Sequence, residues 1–214
     1  MFNKITYNSI AGQRSQRMEA LSDGVFSIAL TLLVLDIKVG IDTGIKTEKE
    51  LLGLFLSLTP KILSYFMSFI TLGMFWVAHS TQHFYITKSN RHLNWISLFF
   101  LLFVSLVPFT TAFLSEYIDF KLSIGIYWLN ILALGMGLIV HWEYALKYNL
   151  INLPKEEIAE VTHVIKKRII VAEALYTMGA LLCFVSTYLS IFVITIIQLN
   201  YAIGPFIKAG KLKS

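Results

Sequence analysis

The chain has 214 residues, of which 56% are apolar and only 14% are charged, and its mean hydropathy is +0.68. A soluble domain carries about 25% charged residues, so the composition excludes an ordinary soluble domain and indicates an all-α membrane protein. The formal net charge of +5 is explained by membrane orientation, and we expect no nucleic-acid partner.

Six segments each carry about 20 mostly apolar residues, the length that spans a bilayer. They are predicted at 18–39, 60–82, 93–115, 121–145, 167–186 and 188–207. Residues 186–188 are the predicted tight turn between the last two spans. Residues 1–16 lack an apolar core, so we expect no signal peptide. The sequence therefore predicts a single six-helix transmembrane domain over residues 1–214, too small to include a soluble catalytic module.

The first span begins with charged and hydroxyl side chains, which lipid-facing helices avoid. Arg17, Ser22 and Asp23 precede an almost wholly apolar run from Val25 to Leu35. A carboxylate at membrane depth needs a partner, and Arg17 or a side chain of the second span is the candidate for Asp23. This combination favours a helix that lines a pore over a simple anchor.

Helical geometry sorts the first span into two faces at 100° per residue. One face is mostly aliphatic, with a single hydroxyl at its edge, and consists of Arg17, Leu21, Gly24, Ile28, Thr31, Leu32 and Leu35. Ser22 and Asp23 lie on roughly the opposite face. The alternative explanation is that Ile28, Leu32 and Leu35 face lipid or the core, since Ile and Leu are the usual lipid-facing residues.

The second span carries polar residues along one face: Ser64, Ser68, Thr71, Phe75, His79 and His83, with Trp76 at its border. Two histidines four residues apart also occur in helical metal sites. No carboxylate ligand is near them in the sequence, so we favour a polar network with Ser22 and Asp23 and expect neither metal nor cofactor.

Other ionisable residues lie near or inside the later spans. His92, His141 and His163 are near span ends, where interfacial roles are usual. Glu143 and Glu173 are expected to pair between helices or between subunits, with ion binding as the alternative.

The distribution of Lys and Arg predicts the orientation. With six spans both termini lie on one side, and that side collects 13 of the 18 basic residues. We therefore expect a multi-pass protein of the cell membrane with both termini in the cytoplasm.

The first span resembles the signature of the transmembrane protein 175 family, potassium channels of lysosomes and of many prokaryotes. The family motif is Arg-x-x-x-Phe-Ser-Asp. Arg17, Ser22 and Asp23 match it, whereas Leu21 stands in place of the Phe. Trp76 and His79 resemble the Trp…His element of the family's second helix. Six spans in about 210 residues resemble the prokaryotic single-repeat form.

The resemblance implies a homotetramer in the lipid bilayer, with the first helix of each subunit lining a central pore for potassium ions. It also implies that Ile28 forms the narrowest ring, Thr31 a selectivity layer, and Leu35 a further apolar ring together with Leu32. Arg17, Ser22, Asp23, Trp76 and His79 would form a network that we call the motif network. Constriction and dehydration would replace a carbonyl selectivity filter.

Two other classes remain open from the residues alone. A secondary transporter needs inverted repeats or broken helices, and the sequence shows neither. A metal-dependent integral membrane enzyme needs a metal cluster or a nucleophile and base at one membrane face, and only His79 and His83 point to one. We therefore expect a potassium-selective channel and not an enzyme.

Overall fold

The computed structural model describes residues 15–38 and 44–210, which form seven α-helices. The helices are α1 (Ser15–Leu32), α2 (Glu48–Ser57), α3 (Thr59–Tyr85), α4 (Arg91–Glu116), α5 (Lys121–Lys147), α6 (Lys155–Leu181) and α7 (Thr187–Gly210). Short 3₁₀ helices follow α1 at Leu33–Asp36 and α6 at Leu182–Phe184. Each of the six predicted spans overlaps one of the long helices, and α2 is the additional short one.

Among the described residues, four helices are long and apolar enough to cross a membrane: α1 with its 3₁₀ extension, α3, α4 and α5. Helix α6 has a polar, charged first half that begins at Lys155, well before the span predicted at 167–186. Helix α7 is apolar over Thr187–Ile203, the part whose side chains the structure describes, and it continues as a helix to Gly210. The protein is therefore an all-helical membrane protein, and the number of six spans stays a prediction. Lys4, Arg14, Lys211 and Lys213, which contribute to the orientation prediction, lie outside the described residues.

Local signals explain where the helices begin. Thr47 and Glu50 form a capping box at α2, with Thr47 Oγ1 accepting from the Glu50 N–H at 3.3 Å and Glu50 Oε2 accepting from the Thr47 N–H at 3.0 Å. The Glu50 carboxylate accepts hydrogen bonds from the backbone N–H groups of Lys46 and Thr47. These bonds, with that of Lys46 the stronger cause, hold the pKa of Glu50 below its ordinary value. Asn90 caps α4 by accepting from the Leu93 N–H at 2.9 Å.

The long helices pack around one apolar core. Helix α4 lies against α1, α3 and α5, α6 packs between α5 and α7, and α7 returns to α3. Large core side chains with almost no exposed surface include Phe26, Leu33, Leu72, Val104 and Leu134. The core therefore holds the inner faces of α1 and α3 in a fixed relation to each other, which positions the candidate site.

The crossing of α6 and α7 depends on a small residue. Gly179 lies against Ile194, and a Cβ at Gly179 would come within 2.8 Å of Ile194 Cγ1. Ser190 Oγ also donates to the Gly179 carbonyl at 2.7 Å. Small residues at such crossings let backbones approach closely in membrane bundles.

Gly179→Ala is expected to destabilise the folded chain by about 1–3 kcal/mol, because the new methyl group overpacks the contact with Ile194. The matched control is Gly125→Ala in α5, where no atom of the described residues lies within 4 Å of the new Cβ. The control should be neutral or stabilising by up to about 1 kcal/mol. Melting temperatures in detergent measure both, and equal values for the two variants would contradict the close approach.

Candidate pore helix and histidine cluster

Helix α1 has one face in the core and one face outside it. Ser22, Phe26, Ala29 and Leu33 are buried against the other helices. The opposite face remains accessible, and the exposed fractions are 60% for Ile28, 43% for Leu32 and 62% for Leu35, with Thr31 also exposed. We call Ile28, Thr31, Leu32 and Leu35 the α1 outer face. The four residues predicted to form the constriction and the selectivity layer are thus all exposed on the same side of α1.

The chain itself covers α1 less than its other candidate spans. Only 28% of the residues in the α1 window are buried, against 39% for α3, 39% for α4 and 44% for α5. The outer face of α1 is therefore available to lipid, to another copy of the chain, or to a pore.

Thr31 is the one hydroxyl residue in the α1 outer face. Its Oγ1 contacts the carbonyl of Ser27 at 3.1 Å and that of Ile28 at 2.8 Å. The hydroxyl proton is thus used within the helix, while the lone pairs of Oγ1 remain available as acceptors. An acceptor oxygen of this kind suits a partly dehydrated cation.

The predicted partner of Asp23 is found in α3. Trp76 Nε1 donates to Asp23 Oδ1 at 2.9 Å, and the two residues are 53 positions apart in the sequence. The indole is 43% exposed. The bond ties the start of α1 to the second half of α3.

The other members of the motif network do not meet Asp23 within one chain. Ser22 Oγ donates to the carbonyl of Met18 at 2.8 Å. His79 stacks on Phe100, with ring centroids 4.8 Å apart and planes at 11°. Arg17 is exposed, and no side-chain partner for it is found among the described side chains of residues 15–38 and 44–203. The network as a whole stays a prediction.

The polar side chains on one face of α3 are buried inside the bundle. Near the end of α3 this face carries two histidines, which lie close to a third histidine from α5. His79 is 3% exposed, His83 is 7% exposed and His141 of α5 is 1% exposed. The Nε2 atoms of His79 and His83 lie 3.3 Å apart, and the His141 ring lies 5.4 Å from His79 and 5.2 Å from His83 by centroids. We call these three residues the histidine cluster.

His141 is therefore not an interfacial residue, as its position near a span end suggested. It packs inside the bundle beside α3 because α3 and α5 are neighbours there. The sequence contained a weak signal, the His79–His83 pair on one helix. It could not show which other helix would face that pair.

The two acidic residues of the later helices differ in their partners. Glu143 forms an ion pair with Lys166 of α6, which confirms the predicted pairing between helices. Glu173 lies against Gly135 of α5, and its Oε2 is buried with no hydrogen-bond partner in the described part of the chain. The predicted pairing of Glu173 is thus not seen there.

Residues 17–108 match the family described as the endosomal/lysosomal potassium channel TMEM175. The chain is 31% identical to a potassium channel of Chamaesiphon minutus over 190 residues, which are 87% of this chain and 93% of that protein. It is 36% identical to a potassium channel of Streptomyces collinus over 132 residues, which are 60% of this chain and 63% of the relative. The match to the Streptomyces protein thus spans less than two thirds of its length.

The fold is also similar to a solved structure. The crystal structure of a lysosomal potassium-selective channel TMEM175 homolog from Chamaesiphon minutus superposes with a TM-score of 0.72 at 29% sequence identity. The superposition covers 88% of this chain and 96% of that one. The likeness therefore extends over nearly the whole helical bundle and is not confined to the first helices.

The Asp23–Trp76 bond predicts a coupling that a double-mutant cycle measures. Asp23→Ala and Trp76→Phe each remove the bond, so the double variant should be about 1 kcal/mol less destabilised than the two single effects added. Melting temperatures in detergent give the cycle. A control cycle combines Asp23→Ala with Trp95→Phe, which changes an exposed tryptophan of α4. The two effects in this control cycle should add. Additive effects in the Trp76 cycle would show that the bond contributes nothing.

Proposed function

Because this chain belongs to the TMEM175 family, we propose that it forms a potassium-selective channel from four copies, with α1 of each copy lining a central pore. The related proteins of Chamaesiphon and Streptomyces are potassium channels, and the family is one of ion channels and not of enzymes. Potassium is the permeant ion, and potassium is preferred over sodium.

The observation that carries the proposal is the α1 outer face. A continuous strip of Ile28, Thr31, Leu32 and Leu35 is left open on the candidate span that its own chain covers least. Asp23, near the start of the same helix, is also exposed, and an ionisable residue is costly to place against lipid. Contact with other copies of the chain around a water-filled axis removes that cost.

One subunit cannot enclose a pore with a single lining helix. Closed cyclic symmetry lets identical helices meet around one axis. In the proposed channel, four α1 helices, one from each subunit, form the ring around that axis. The four Ile28 side chains make the narrowest point, and Leu32 and Leu35 form further apolar rings toward the outer side.

Selectivity then follows from dehydration. Ile28 offers no polar ligand, so a passing ion loses or stretches its water shell, and potassium is less strongly hydrated than sodium. The Thr31 hydroxyl oxygens, one turn further, provide acceptors that replace part of that water. Narrow apolar rings of Ile and Leu also close a pore by dewetting.

The motif network would stabilise the cytoplasmic end of the pore helix. The Asp23–Trp76 bond is its part within one chain. Arg17 is exposed, so in the proposed tetramer it is free to pair with a carboxylate of a neighbouring subunit. Ser22 and His79 hold the buried side of the same α1–α3 contact.

The proposed channel is a multi-pass protein of the cell membrane with six spans, both termini in the cytoplasm and a single domain over residues 1–214. Helices α3, α4 and α5 each run unbroken for 26 or 27 residues, whereas transporters typically bind substrate at broken helices. Liposomes with opposed potassium and sodium gradients separate the two classes, since a channel dissipates the gradients without coupling the two fluxes.

Ile28→Asn is expected to raise conductance and reduce potassium preference, because it replaces an apolar ring by amides that solvate both ions. Thr31→Val is expected to reduce selectivity while conduction persists, because it removes the acceptor layer. A tenfold loss in the permeability ratio shifts the bi-ionic reversal potential by about 59 mV toward zero. Reversal potentials under potassium/sodium conditions measure both variants.

Thr81→Val is the matched control for Thr31→Val. Thr81 is also exposed and also bonds a carbonyl of its own helix, that of Val77 at 2.7 Å, but it lies on α3. Its reversal potential should stay at the wild-type value. Unchanged reversal potentials in both the Ile28 and the Thr31 variants would place the selective element elsewhere.

The assembly makes a separate prediction. Native mass spectrometry of the purified protein should give a tetramer of about four times 24.4 kDa, because one lining helix per chain requires several copies. A monomer or dimer that still conducts in liposomes would refute the proposed pore.

A further inference from the structure

The histidine cluster brings three imidazoles from two helices to one point inside the bundle. His79 and His83 come from α3 and His141 from α5, and one ring nitrogen of each lies within 4.8 Å of the others. All three side chains are buried. Neutral imidazole is a preferred ligand of zinc, copper, nickel and cobalt. We propose that the histidine cluster binds one divalent transition-metal ion per chain, with zinc as the expected ion.

The α3 pair already has the separation that a bound zinc ion needs. A Zn–N bond is about 2.1 Å long, so two ligand nitrogens of a tetrahedral site lie about 3.4 Å apart. The Nε2 atoms of His79 and His83 are 3.3 Å apart. Histidines four residues apart on one helix form half of many helical zinc sites. The third nitrogen, up to 4.8 Å away, approaches by a small tilt of the ring.

Gln82 fixes the orientation of His141. Gln82 Nε2 donates to the Leu138 carbonyl at 3.0 Å, so its Oε1 is the end that faces His141. His141 Nδ1 lies 2.8 Å from that oxygen and must carry the proton to donate to it. Its Nε2 therefore keeps a free lone pair. Metal-binding histidines are oriented in this way, by a second residue that accepts from the other ring nitrogen.

The free nitrogens of the cluster lack protein partners. His141 Nε2, the nitrogen that would bind the ion, is buried with no hydrogen bond among the described residues; His83 Nδ1 also lacks one, but it is not the His83 nitrogen placed at the ion. Buried polar atoms without partners are rare in folded proteins and call for an explanation such as an ion. A metal ion coordinated by His141 Nε2 satisfies that atom and also replaces the long contact between His79 and His83.

The charge around the cluster is compatible with a cation. Asp23 is the acidic residue that interacts electrostatically with His83, and it is held by Trp76 on the side of α1. Three neutral imidazoles leave the ion with its full charge of two, so this carboxylate reduces the cost of burying it. The fourth coordination position is open to water. An ion bound here would link α3 to α5.

Cobalt(II) titration of the purified full-length protein tests the proposal. Cobalt in a site with three imidazoles and one water gives intense visible bands, and we expect saturation at one ion per chain and displacement of the bands by zinc. His83→Gln and His141→Asn should each weaken zinc binding by about a hundredfold or more. The matched controls, His92→Asn and His163→Gln at exposed histidines, should bind as the wild type does.

X-ray absorption of the zinc-loaded wild-type protein tests the site even if the variants do not fold. We expect it to show three imidazole ligands around zinc. Only weak octahedral cobalt bands, fewer than three imidazoles around zinc, or full binding by His83→Gln and His141→Asn would overturn the site. Each measurement is independent of ion flux, so its result does not depend on the proposed pore.

Discussion

The bilayer offers no water to polar groups, so polar side chains on spanning helices must find partners inside the protein. This constraint sets the position of α3. Thr111 donates to Ser68 at 2.7 Å, Ser68 lies 3.2 Å from the hydroxyl of Tyr127, and Gln198 donates to Thr71 at 2.8 Å. The polar face of α3 is thus bonded to α4, α5 and α7 at once, and the other helices are arranged around it.

The position of α1 follows from that of α3. With the polar face of α3 turned to α4, α5 and α7, α1 packs against the bundle through Phe26 and Leu33, which are almost fully buried. Its aliphatic strip stays exposed among the residues that the structure describes. The geometry that satisfies the hydrogen bonds of α3 therefore also produces the exposed face on which the proposed pore depends.

The sequence predicted the helices and their faces well, because period and apolar length are local properties. The long helices and the shared polar face of α3 agree with the prediction, and α6 begins at Lys155, ahead of the apolar span predicted at 167–186, because its charged first half is also helical. The sequence could not predict which helices are neighbours. The family resemblance already placed Trp76 in one network with Asp23, and the structure shows their bond. The placement of His141 beside His79 had no such signal, because it depends on packing between segments more than 50 residues apart.

The same packing joins the two candidate sites physically. The ring of Phe26 lies 6.2 Å from that of His79 and 6.0 Å from that of Phe100, and Phe26 is only two residues from Ile28 on α1. A rotation of α1 that moves Ile28 relative to a pore axis must also move Phe26 against the histidine cluster. Close-packed interiors transmit such displacements because they contain few voids to absorb them. An ion that fixes His79 relative to α5 would therefore restrict the rotation of α1, and with it the width of the proposed ring at Ile28.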